Sequence, residues 1–160
     1  MYYNIYEVGT SPITNSMMDA VTIGDHSVFL CKCAVVDEIE DKERVTTLQS
    51  FGKWLKKEHL GELKKSVFTL NEDVRCGRHF ADRYAGFQQL TEALAAVTEA
   101  DYLHRFHDIR NLTSDLMKAI VDDDDDYVLL DGSLFTMDEF LRQAKPGISY
   151  YIGTICKYHR

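Results

Sequence analysis

The sequence predicts a single α+β domain spanning residues 1–160, with a mixed or antiparallel sheet built from N- and C-terminal strands and packed against central helices. Three observations carry that expectation. The chain opens on an alternating aromatic run, "YYNIYEV". Its middle holds "HFADRYAGFQQLTEALAAV", where Phe80, Tyr84, Phe87, Leu90, Leu94 and Val97 recur at steps of three and four. It closes on "YVLLDGSLF" and "ISYYIGTICKY", both with strand character. With 160 residues, 45% of them apolar and only two prolines, the chain suits one well-buried core.

The elements follow in order. "YYNIYEV" reads as a first strand, and "GTSPITN" breaks it with Gly, Pro and Asn. "HSVFLCKCAVV" reads as a second strand, with Phe29, Cys31, Cys33 and Val35 on one face and Val28, Leu30, Lys32 and Ala34 on the other. An acidic turn, "DEIEDKE", leads into the helix "TTLQSFGKWLKKEHLG". There Leu48, Phe51 and Leu55 share a face, the lysines ride the wetter side, and Gly61 supplies the stop. "KKSVFTL" is a short candidate strand. The periodic segment around Leu90 is expected to pack on a core. Thr98 and Asp101 form an N-cap pair for a second helix carrying Leu103 and Phe106, with an interruption expected at Asn111–Ser114 before "SDLMKAIV". Asp131-Gly132 can adopt the positive φ angles of a two-residue hairpin turn. Thr136 and Glu139 make a capping box that opens "MDEFLRQA", "KPG" ends it, and "ISYYIGTICKY" is the terminal strand.

Composition excludes several function classes. No apolar run is long enough to span a bilayer, and the N-terminus lacks the basic start and apolar stretch of a secretory signal, so a cytoplasmic protein with no membrane partner is expected. Four cysteines, Cys31, Cys33, Cys76 and Cys156, are too few and too irregular for a disulfide scaffold. The net charge of −8 is unevenly spread: −5 over residues 1–40, +3 over 41–79, −2 over 80–120 and −4 over 121–160. An acidic chain is repelled from phosphate backbones, which disfavours nucleic acid as a partner. No glycine-rich phosphate loop follows a strand, and no cofactor is expected.

The most conspicuous feature is Asp122, Asp123, Asp124, Asp125 and Asp126 in succession. Adjacent carboxylates repel one another and are expected to stay in water unless a cation or basic partner neutralises them. A calcium loop beginning at Asp122 would need glycine at its sixth position and a carboxylate at its twelfth, where the chain has Tyr127 and Ser133. The reading adopted is a small acidic binding or regulatory protein, not an enzyme, whose aspartates dock a basic protein surface. That partner can itself be a nucleic-acid-binding protein, inhibited by carboxylates that imitate phosphates.

Two alternatives stand beside it. Cys76 and His79 in "RCGRH" can serve a cysteine- or metal-dependent hydrolase, because Arg75, Arg78 and His79 favour a thiolate. Cys31, Cys33, Cys76 and His79 also supply the donor types of a zinc site, although the spacing is not that of a zinc knuckle. His104, His107 and Asp108 lie in "HRFHD" on the expected second helix, where three-residue spacing puts both imidazoles on one face, a pairing suited to a metal or to acid–base chemistry. The other alternative is weak nucleic-acid binding through Lys53, Trp54, Lys56, Lys57, Lys64 and Lys65, with the lysines on phosphate and the indole stacked on a base.

Overall fold

In the computed structural model, residues 2–18, 35–72, 78–120 and 126–159 are described. The sheet is organised around its last strand. β7 (Ser149–His159) is long enough to hold β1 (Tyr2–Gly9) antiparallel along one edge, while the other edge takes β2 (Val35–Glu38) at one end and β4 (Val67–Leu70) at the other. β3 (Gly61–Lys64) extends the sheet beyond β4. On the opposite side β1 pairs in parallel with β5 (Tyr127–Leu130), followed by β6 (Ser133–Thr136). The order β3-β4-β7-β1-β5-β6, with one parallel pair, is the mixed sheet of an α+β domain, and its two central strands come from the two ends of the chain.

Alternation along β1 sends Tyr6 and Val8 to one face and Ile5 to the other. The first face meets α1 (Asp41–Lys57) and α5 (Met137–Gln143), which bring Phe51, Leu55, Phe140 and Leu141 against Phe68, Tyr150 and Ile155. Phe68 stacks on Tyr150 at 5.2 Å and Phe140 meets Tyr150 edge-on. Neighbouring Tyr151 points the other way and is half-buried, as alternation requires. The opposite face gathers Ile5, Tyr127, Leu129, Cys156, Tyr158 and Met18.

One irregularity fixes a buried charge. Between Tyr6 and Val8 the register with β7 slips, so Gly153 and Thr154 both oppose Glu7. The Glu7 carboxylate accepts from the Thr154 amide at 2.9 Å, the Met17 amide at 2.6 Å and the Ser16 hydroxyl at 2.9 Å, tying the segment after β1 to the sheet. A Cβ at 153 would lie 2.5 Å from Glu7 Oε2 and would displace the carboxylate from these donors.

The hairpin turn and both caps form as the sequence indicates. Asp131 and Gly132 take φ of 50° and 78°, and Thr98 and Thr136 each close a reciprocal capping box. Four expectations are corrected. α1 starts at Asp41, inside the expected acidic turn, because Asp41 and Glu43 favour the positive end of the helix dipole; Asp37 and Glu38 belong to β2. The helix stops at Lys57 with His59 in the left-handed region, and Gly61 lies in β3, where a Cβ would meet the Thr69 carbonyl oxygen at 2.1 Å. The periodic segment is a helix, α2 (Arg78–Ala95), but it does not sink into the sheet core: it packs on α4 (Phe106–Ile120) as an arm, and neither α4 nor the short α3 (Glu99–His104) between them buries a residue. The break falls at Arg105 rather than Asn111–Ser114, and Arg105 spans it by pairing with Asp101 and Asp108. His104 and His107 therefore sit on different helices. In the expected second strand, residues 26–34 lie outside the described residues.

Among the described residues no helix is long and apolar enough to cross a membrane.

Candidate functional site

Beside its buried face α1 carries Glu43, Thr47, Ser50 and Trp54, a stripe at steps of three and four that Glu58 continues just past the helix end. It forms one wall of a cleft of about 750 Å³. The other walls are Tyr3, Asn4 and Tyr6 of β1, His79, Asp82 and Arg83 of α2, and Asp126, Met137 and Lys157. The cleft lies where the sheet, α1 and the base of the arm converge.

One end is built on Asp126. Parallel pairing aligns Ile5 with Tyr127, so the preceding residues Asn4 and Asp126 also face each other. Asp126 Oδ1 accepts from the Asn4 amide at 2.7 Å, and Oδ2 accepts from the Tyr6 hydroxyl at 3.2 Å. The Asn4 side-chain amide donates to both oxygens at 3.3 Å. Burial pushes the Asp126 carboxyl above the usual carboxylate range, against the lowering effect of these donors, and burial together with the Asp126 charge raises the Tyr6 hydroxyl strongly. The last aspartate of the run is thus half-buried and hydrogen-bonded, not solvated as a run of repelling carboxylates leads one to expect.

The other end is built on Asp138, in the first turn of α5 and only 3% exposed. His79 Nε2 donates to its Oδ1 at 2.7 Å, and Arg83 Nη1 forms an ion pair with Oδ2 at 2.6 Å. His79 and Arg83 are one helical turn apart on α2, so a single carboxylate anchors the base of the arm to the sheet body. Trp54 meets the His79 ring edge-on at 5.8 Å and stacks on Phe51 at 5.7 Å. The basic side chains in the walls already have acidic partners: His79 and Arg83 have Asp138, and Lys157 has Glu43. Counting Asp138 behind the wall, five carboxylates stand against three permanent cations, Arg83, Lys157 and Lys57, the last paired with Glu58, so acidic groups are in excess.

Asp126 and His79 are brought into the same cleft. Asp122, Asp123, Asp124 and Asp125 lie outside the described residues, as do Cys31, Cys33 and Cys76, which are the thiol nucleophile and three of the four zinc donors; the fourth, His79, is held by Asp138. Among the described residues no group of three or more metal-ligating side chains converges. Cys156 is buried and its thiol is pushed up to about 11, first by burial and then by Glu38, Glu7 and Asp37. Trp54 and the lysines are separated: Lys53, Lys56 and Lys65 border a different cavity with Val45, Leu48 and Leu63, while Lys57 and Lys64 pair with Glu58 and Glu62. An indole and its neighbouring lysines are therefore not arranged as one stacking platform. Sequence reasoning missed Asp138, Arg83, Asp82 and Tyr6. For Asp138 no signal existed, since an aspartate in a first helical turn is fully explained by the helix dipole. Set against known proteins, this chain matches no protein-family model, no curated protein and no solved structure.

Proposed function

We propose that this protein is a binding or regulatory protein that engages a basic protein segment, with a lysine or arginine side chain entering the cleft between α1, β1 and α2. The observation that carries the reading is the pairing of wall chemistries: the carboxylates Glu43, Glu58, Asp82 and Asp126 share one cavity with Tyr3, Tyr6, Phe51 and Trp54. Carboxylates attract a cation and aromatic faces accept it after partial dehydration, so the two together favour a cationic side chain over a neutral one. The reading extends to Asp122–Asp125, which precede Asp126 in the sequence, and favours a partner with more than one basic residue.

Trp54 is the only tryptophan in the chain, so its fluorescence reports on the cleft. Titration with lysine- and arginine-rich peptides is expected to give a saturable change in emission that weakens as salt rises and is largely lost in Asp82→Asn/Glu58→Gln. No change at millimolar peptide, or an equal change with acidic peptides, defeats the reading.

A second reading is favoured by the His79–Asp138 geometry. A buried carboxylate holding one imidazole nitrogen is the arrangement that orients a histidine for acid–base chemistry, and Cys76 precedes His79 by three residues. A broad hydrolase screen in which Cys76→Ala and His79→Gln each abolish an activity of the wild-type protein supports it; the absence of any such activity removes it.

A further inference from the structure

The arm leaves an apolar surface that the monomer does not cover. On α4, Ile109, Leu112, Leu116 and Ala119 are half-buried at steps of three and four and face α2. Immediately beside them runs a second stripe, Phe106, Arg110, Thr113, Met117 and Ile120, turned to solvent and apolar apart from Arg110 and Thr113. Near the base of the arm Ile120 joins Tyr84, Phe80 and Phe87 around a shallow depression of about 510 Å³ that Arg83 and Arg142 also border, and Tyr102 and Leu103 project from α3. Tyr84, Tyr102, Leu103, Phe106, Met117 and Ile120 are between 45% and 68% exposed. At the usual size of such side chains they present roughly 600–800 Å² per copy, the area of one side of a standard protein interface. Scattered single apolar residues need no explanation, but six on one helical arm exceed that pattern.

We infer that this surface joins two copies of the chain, whose arms pack as a four-helix bundle. Charge selects a second copy over a partner of another kind. Residues 78–120 hold five basic and six acidic residues, so the arm is nearly neutral while the rest of the chain carries almost all of the net −8. Most charges on α3 and α4 also pair within the arm, Arg105 with Asp101 and Asp108 and Lys118 with Asp115, while Arg110 stands exposed beside the stripe. With a net charge of only −1 over residues 78–120, two arms meet without strong repulsion and keep the acidic bodies apart. The architecture points the same way, since two packed helices bury one stripe each, and a second helical pair covers the next stripe on both. A two-fold contact is self-complementary. With the axis beside Thr113, at the centre of the stripe, Phe106 of one copy meets Ile120 of the second, and the small threonine lets the two α4 helices approach. This inference does not depend on the cleft and its ligand.

The test is sedimentation equilibrium of the full chain across micromolar concentrations, with helicity followed by circular dichroism. The wild-type protein is expected at twice the monomer mass. Phe106→Glu/Met117→Glu is expected to weaken association at least about 100-fold with helicity retained, because each change places an unpaired charge in the contact. Thr113→Arg, at an exposed position in the monomer, is expected to do the same by setting like charges against each other across the axis, and it decides the matter if the double variant does not fold. A monomeric wild-type protein, or self-association undiminished in a folded variant, overturns the inference.

Discussion

In the sheet body Leu55, Phe68, Phe140 and Ile155 are shut off from water, whereas in the arm the equally regular Leu90, Leu94, Leu112 and Leu116 are only half-buried. Both regions have sound helices, caps and spacing. They differ in what lies opposite the apolar face: a seven-stranded sheet in one case, a single partner helix in the other. Periodicity reports that a face is apolar, and the depth of burial depends on how many layers cover it.

The largest expected effect tests that difference with the same substitution on both sides. Leu55→Ala should cost about 4 kcal/mol of unfolding free energy in urea, from lost burial and an unrelaxed cavity, while Leu90→Ala should cost about 1 kcal/mol because the side chain is already half-solvated. Equal costs would break the distinction between body and arm. Next is the joint between them. Asp138→Ala removes the one acceptor shared by His79 and Arg83 and should cost about 3 kcal/mol, with amide exchange accelerating first in α2 near His79. Unchanged protection at the base of α2 would mean that the arm is held elsewhere.

The two capping boxes refine the comparison, because their local chemistry is the same. Thr136→Ala should lower global stability by about 1 kcal/mol, since α5 belongs to the cooperative core. Thr98→Ala removes an equivalent cap from α3, which buries nothing. It should raise local amide exchange around α3 and leave the urea midpoint of the body nearly unchanged. The smallest expected effect is on pH dependence. Burial raises the folded-state pKa of Asp126 above its unfolded value, so this group contributes stability below the unfolded pKa and loses it as pH rises through the folded one. Asp126→Asn retains an oxygen for the Asn4 amide without the charge. Its stability relative to wild type should therefore improve as pH is raised from strongly acidic values toward neutrality, and a pH-independent difference would place the carboxylate in water.

The features legible in the sequence are those settled within a few residues. Asp131-Gly132, the Thr98 and Thr136 caps and the opening and closing strands are such features. Each depends on φ preferences, a side-chain oxygen near a free amide, or alternation along one strand. Gly61 shows the boundary of that method: as a glycine after a helix it has a ready local explanation, yet its requirement comes from the neighbouring strand at Thr69. The aspartate run shows it again, because charge repulsion is a sound argument for solvent exposure until β1 supplies amide and hydroxyl donors to the last member.

By itself the sequence determined that this is an acidic α+β chain with strands at both ends, a two-residue hairpin turn and amphipathic helices between them. Tertiary structure alone decided that β1 and β7 lie side by side at the centre, that the most periodic helix stays outside the core, and that Asp138 receives His79 from 59 residues away. The physical reason is one of range. Turns, caps and periodicity are energies of neighbouring residues, whereas a cleft is made by the relative placement of whole elements, and that is set by burial summed over the entire sheet.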